Sequence, residues 1–270
     1  VNCTGNDLEN AKNCEFAFEV RDGAENCKYL LIGGRRIKDS YDVFGSGEKS
    51  ELIYSSSTFS SQNVKFTNGA RESTDIQYSS GCQASAHLFG CIYLRSKKHC
   101  ILNKQYNEGE YKELVPKIIK HMSDMPYISK SGQVYKYGEF FPPEFSFSAY
   151  NDSLAYEYFP IGEEEAKAKN LPWRNVEIKQ YENSMEPEQL PNHIRDVGDD
   201  ILNKPIVCQH RGRCHHQCKG AFKIIQKELE FYRRLGLSLP RLCPDCRHFE
   251  RVKGKRRYHL WERNCMCAGK

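Results

Sequence analysis

Short motifs of the form polar–apolar–x–aromatic recur through the first hundred residues. Asn13-Cys14-Glu15-Phe16, Asn26-Cys27-Lys28-Tyr29, Glu51-Leu52-Ile53-Tyr54, Asn63-Val64-Lys65-Phe66 and Asp75-Ile76-Gln77-Tyr78 share the pattern. Asp39-Ser40-Tyr41-Asp42 and His99-Cys100-Ile101-Leu102 keep the spacing, and His87-Leu88 opens an apolar run to Leu94. The starts fall 12 or 13 residues apart, and a short fixed step predicts stacked strands. Period-two alternation within each unit sends Cys27, Tyr29 and Leu31, or Ile76 and Tyr78, into a continuous core. Two strands per coil give a coil of about 25 residues, the size of a parallel β-helix repeat. Tyr29, Tyr54 and Tyr78 then form one interior ladder, and Gly45-Ser46-Gly47 reads as a turn open to insertion. An antiparallel sandwich with strands every 8–12 residues or so is the alternative. The near-constant step favours the parallel β-solenoid.

A helix follows over residues 106–124. Asn107-x-x-Glu110 is a capping-box start, and Tyr111, Leu114, Val115, Ile118, Ile119 and Met122 share one face that can cap the last coil. Pro116 is expected to kink or split it. Residues 125–200 read as an irregular arm rich in aromatics and acidic groups, with a short helix opening at Glu163-Glu164-Glu165. Residues 201–270 read as a separate module. Its amphipathic stretch, Phe222 to Leu235, places Phe222, Ile225, Leu229 and Tyr232 on one face, and Gly236 closes it. The fold class is thus mainly β: a solenoid over 1–105, a capping helix, an arm and a small α+β module.

Cysteine usage separates the two ends. Cys3, Cys14, Cys27, Cys82, Cys91 and Cys100 are scattered singly, as buried thiols are, whereas Cys208, Cys214, Cys218, Cys243, Cys246, Cys265 and Cys267 are clustered. An odd total of 13 argues against a secreted disulfide framework and for a reducing, cytoplasmic setting. Cys218, Cys243 and Cys246 are the firmest ligands, because zinc takes four N/S donors and a Cys-x2-Cys turn supplies two. Cys214 is the choice for the fourth position and His215 its rival. Cys208, His210, Cys265 and Cys267 could form a second Cys3His site.

These residues carry a family resemblance. Cys218-Lys-Gly-Ala-Phe222, Glu228-Leu-Glu-Phe231-Tyr232, Gly236, Pro240 and Cys243-Pro-Asp-Cys246-Arg247 resemble treble-clef-like zinc ribbons, over about 35 residues. The wider chain is similar to uncharacterised zinc-ribbon proteins of environmental sequence. The resemblance implies a zinc fold and little about activity. The first cysteine pair departs from the family pattern, with Lys219 where glycine is usual.

Charge then changes the picture. Residues 201–270 hold 17 Lys and Arg against 5 Asp and Glu, and residues 1–200 hold 23 against 30. A basic tail on an acidic body predicts a polyanionic partner. Arg211, Arg213, Arg247, Arg251, Lys253, Lys255, Arg256 and Arg257 are candidate phosphate contacts, and Tyr258 and Trp261 candidate base-stacking groups. The expected function is binding of nucleic acid or a ribonucleoprotein by the zinc module, with the solenoid as scaffold. The alternative is an assembly protein whose tail docks an acidic protein. A treble-clef nuclease or a solenoid enzyme acting on polysaccharide comes third. Asp39, Asp42, Asp75 and Glu51 could serve the latter, but no Gly-rich phosphate loop, nucleophile elbow or carboxylate–His constellation is present, so no catalytic residue is assigned. No run of about 18 apolar residues predicts a membrane span. The chain begins at Val1 and reads as a fragment or processed product.

Overall fold

The computed structural model describes residues 2–48, 51–178, 181–254, 258, 260 and 261 of the chain. It divides into two compact units, Val1–Phe145 with Tyr258–Lys270, and Ser146–Arg257. The arm foreseen over 125–200 is therefore shared between them.

The first unit is a parallel β-solenoid of about 8 turns. Ala17 pairs with Leu30 and Leu30 with Val43 in the early coils. Later, Leu52 pairs with Val64, Val64 with Ile76, Ile76 with Leu88 and Leu88 with Cys100. Each coil therefore closes in 12 or 13 residues, not 25. The step seen in the sequence is one whole turn, because like residues stack where neighbouring coils share a register. The extra residue of the early coils lies on a side made by Ala11–Lys12, Ala24–Glu25 and Ile37–Lys38, which pair in parallel.

So narrow a coil must turn sharply, and it does so at every third residue. Asn63, Phe66, Gly69 and Glu72 have φ of 51°, 52°, 78° and 51°, and Asp75, Tyr78, Gly81 and Ala84 repeat the pattern one coil on. Each left-handed corner sends the next residue inward. Val64, Thr67, Ala70 and Ser73, then Ile76, Ser79, Cys82 and Ser85, are all buried. The inward period is thus three, not two, so Cys27 is followed inside by Leu30 instead of Tyr29. Four short sides leave little room, and the core is built largely of Ser, Thr, Ala, Cys and Val around Leu and Ile.

The buried hydroxyls are satisfied between coils. Ser73 Oγ donates to the Arg71 carbonyl at 2.7 Å and accepts from the Ser85 N–H at 3.2 Å. Ser85 repeats this with Gln83 and Lys97, and Ser79 with Gln77 and Cys91. A small core can hold polar groups only when each is bonded in this way.

The aromatics form a ladder on the outside. Phe16, Tyr29, Tyr41, Tyr54, Phe66 and Tyr78 follow one another with ring centroids 4.8–6.2 Å apart. Tyr29 and Tyr54 are each 39% exposed, which corrects the expected interior ladder. Gly45-Ser46-Gly47 lies within the strand Tyr41–Gly47, with Ser46 buried, and is not a free turn. A second outer ladder joins Asn13 to Asn26 at 3.2 Å and Asn26 to Asp39 at 2.9 Å. Asp75 accepts from Asn63 and faces His87 Nδ1 at 3.0 Å. Asp39 and Asp75 are thus spent on inter-coil bonding.

Helix α1, Glu108–Asp124, opens with the foreseen capping box between Asn107 and Glu110 and runs unbroken through Pro116. Tyr111 and the apolar face of α1 cover Phe89 and Ile101 of the last coils. Lys104–Gln105 turns back antiparallel on Cys100 and Ile101, which closes the stack and leaves that edge paired. Residues 137–141 lie along the end of the aromatic ladder, where the Tyr78 hydroxyl donates to the Glu139 carbonyl at 3.0 Å and Tyr137 packs on Phe66 and Tyr78.

The second unit contains α2 (Leu154–Tyr158), α3 (Glu163–Ala168), a hairpin of Ile206–Val207 with Ala221–Phe222, α4 (Gln226–Leu235) and α5 (Pro244–Lys253). Leu190, Ile194, Val197, Ile201, Ile206, Ile224, Leu229 and Leu239 form its core. Helix α4 starts later than the apolar pattern suggests. Ile224 takes the buried place and Ile225, the residue before the helix, is 63% exposed. Gly236 closes α4 in the left-handed conformation, φ 64°. Among the described residues no helix is long and apolar enough to cross a membrane.

Candidate metal centre

The hairpin brings Cys208 and Cys218 together. Val207 pairs with Ala221, and the Cys208 N–H donates to the Gly220 carbonyl at 2.8 Å. The loop between them folds back through left-handed residues Arg211, Gly212 and Gln217. At Gly212 (φ 74°) a Cβ would meet the Ile178 side chain at 2.7 Å. Cys243 is the N-cap of α5, with Pro244 in the first helical positions, and Cys246 lies in its first turn.

These elements converge on four buried sulfurs. Cys208, Cys218, Cys243 and Cys246 present their Sγ atoms within 4.8 Å of one another. Cys208 and Cys246 are 3.8 Å apart, as are Cys218 and Cys243. A tetrahedron with metal–sulfur bonds of about 2.3 Å has edges of about 3.8 Å, so the donor set fits a four-coordinate ion. The Cys243 N–H points at Cys208 Sγ (3.2 Å) and the Cys246 N–H at Cys243 Sγ (3.5 Å). Both bonds favour thiolate, as does the α5 N-terminus.

With protons alone the sulfurs cannot all ionise. The Cys208 thiol is pulled down by the hydrogen bond from Cys243, while Cys243 is pushed up by that bond and by burial. Burial likewise raises Cys218 and Cys246. A divalent cation reverses this balance, since it supplies the positive charge that the buried thiolates lack.

The fourth sulfur of this group is therefore that of Cys208, where the spacing suggested Cys214. Cys214 is instead part of a second group with His210, His216 and Cys246, whose donor atoms also lie within 4.8 Å of one another. The His215 side chain is exposed and belongs to neither group; its carbonyl accepts the Tyr156 hydroxyl at 2.9 Å. Cys265 and Cys267 fall outside the described residues, as do Lys255, Arg256 and Arg257. Sequence reasoning missed the pairing of Cys208 with Cys218 because nine residues separate them. The apolar Ile206-Val207 and Ala221-Phe222 on either side were the available sign of a hairpin.

Residues 146–200 hold the loop in place. Tyr156, buried between Trp173 and Phe249, anchors it through His215. Gln217 donates to the Asn151 carbonyl at 2.9 Å and accepts from Arg174 at 3.3 Å. His216 stacks on Phe249 at 5.3 Å, and burial lowers its pKa, which favours the neutral imidazole.

The cations divide into two sets. Arg211 meets Glu186 at 2.7 Å, Arg247 meets Glu228 at 3.4 Å, and Lys253 pairs with Glu250. Arg213, Lys219, Lys223 and Arg251 are exposed and have no carboxylate partner among the described residues. Tyr258 and Trp261 group with the solenoid unit, where Tyr258 lies 5.6 Å from Phe18, and Trp261 is 59% exposed. Compared with family models, curated proteins and solved structures, the chain matches none of them.

Proposed function

We propose that the Ser146–Arg257 unit is a structural zinc module of the treble-clef type whose exposed cations hold nucleic acid by its phosphates. The observation that carries this reading is the closed set of four buried sulfurs at tetrahedral spacing. Four thiolates with no open position suit a structural zinc ion better than a catalytic one. Two sulfurs from a hairpin and two from the start of a helix accord with the zinc-ribbon resemblance. Metal binding would supply much of the folding energy of so small a core. The solenoid unit serves as the scaffold.

Arg213, Lys219, Lys223 and Arg251, exposed and with no carboxylate partner among the described residues, support the nucleic-acid half of the reading. Paired Arg211 and Lys253 are weaker candidates, although exposed ion pairs of about 0–1 kcal/mol exchange readily for a phosphate, and Arg247, half-buried against Glu228, is weaker still. Titration of mixed-sequence RNA and DNA against the zinc-loaded chain tests it. Affinity should fall log-linearly with salt, and Arg213→Glu with Arg251→Glu should weaken every sequence alike and lower the salt slope by roughly 2. A zinc-loaded chain that ignores both nucleic acids at low salt removes this half and leaves an acidic protein as the partner.

A further inference from the structure

The second group, His210, Cys214, His216 and Cys246, shares a sulfur with the first. Cys214 Sγ lies 3.5 Å from Cys246 Sγ, close to the edge of a coordination tetrahedron. The two imidazole rings are 5.4 Å apart. Each has a buried Nδ1 with no hydrogen-bond partner among the described residues, and a buried polar atom left unpaired costs about 1–3 kcal/mol. Such pairs are rare unless something absent from the protein's own polar groups completes them. The loop that presents all three new donors is held by Tyr156, Asn151 and Arg174, so their convergence is a built feature.

We propose that this module binds two zinc ions, with the Cys246 thiolate bridging them. One ion is held by Cys208, Cys218, Cys243 and Cys246, and the other by His210, Cys214, His216 and the same Cys246. The proposal rests on the zinc reading of the first group and extends it. A thiolate has lone pairs enough for two bonds, and imidazole with thiolate is a usual zinc donor set. Charge favours the arrangement. One dication among four buried thiolates leaves two net negative charges, whereas two dications among the five thiolates of both groups leave one. The second site is the more exposed, since His210, Cys214 and His216 are half-buried while the first four cysteines are buried. It should therefore yield its ion first to a chelator.

Native mass spectrometry of the full zinc-loaded chain should find two ions. His210→Ala with His216→Ala should reduce this to one without unfolding the chain, and Cys243→Ser should release the first ion. Cadmium substitution then reads the bridge without any mutation. The intact protein should give two cadmium resonances split by coupling through the shared sulfur. A single ion, unchanged by the histidine substitutions, overturns the second site and leaves the first standing. No tightly bound ion overturns both. Two uncoupled resonances overturn the bridge.

Discussion

At the residue scale, adjacent positions of one coil should respond in opposite ways to substitution. Glu72 is an exposed corner at φ 51° and Ser73 is the inward residue that follows it. Glu72→Gly relieves a left-handed conformation and should leave stability within about 1 kcal/mol of the parent. Ser73→Ala leaves the Ser85 N–H without its acceptor and should cost about 1–3 kcal/mol. Denaturant unfolding of the two variants measures the contrast. This chemistry also explains what the sequence concealed. The repeat was legible in Cys14, Cys27, Val64 and Ile76, which are apolar and recur once per coil. In the later coils most of the other inward positions are filled by Ser55, Thr58, Ser61, Thr67, Ser73, Ser79 and Ser85, which read as surface. The outward corners carry Tyr29 and Tyr54, which read as core. A hydrophobic count thus assigned the wrong faces while finding the right step.

At the element scale, the unit of change is the coil. Duplicating residues 63–74, one full turn, should add a coil and keep the melting transition cooperative. Inserting one residue between Ile76 and Ser79 should not be tolerated, because every later corner in that coil would lose its inward partner. Circular dichroism with a thermal melt distinguishes the two. The capping box of α1 was legible because Asn107 and Glu110 act through neighbouring backbone atoms alone. Asn107→Ala should cost about 1 kcal/mol. Pro116 shows the opposite case, where the packing of Tyr111 and its face over Phe89 and Ile101 keeps the helix whole despite a local preference to break. The hairpin that joins Cys208 to Cys218 has two residues in each strand, too few for any periodicity to register.

At the scale of the molecule, two units with separate cores should melt separately. Chelation, or Cys243→Ser with Cys246→Ser, should unfold residues 146–257 and leave Val1–Phe145 protected. Limited proteolysis or hydrogen exchange reads this directly, and loss of protection in both units together would contradict it. Residues 146–200 should be lost along with the cysteine segment, since Tyr156, Asn151 and Arg174 hold the loop between Cys208 and Cys218, and Leu190, Ile194, Val197 and Ile201 share its core. Only the short helix at Glu163 was legible in this segment, because the rest of its order comes from the one-turn helix α2, 3-10 turns and single contacts. The cysteine cluster that could hold a metal was half legible on the same grounds. Cys243 and Cys246 are local to one another, whereas Cys208 reaches them through the chain's path.

The stacking of one-turn coils also has a mechanical side. Strands that run around the axis place their backbone hydrogen bonds along it, so a pull on the N-terminal end loads only the outermost coil. That coil should peel before its neighbour yields, much as a zip opens and unlike a sheet sheared across all its bonds at once. Each release frees 12 or 13 residues, about 40 Å of extended chain. Stretching single molecules should give a regular series of small, low-force steps at that interval instead of one large rupture.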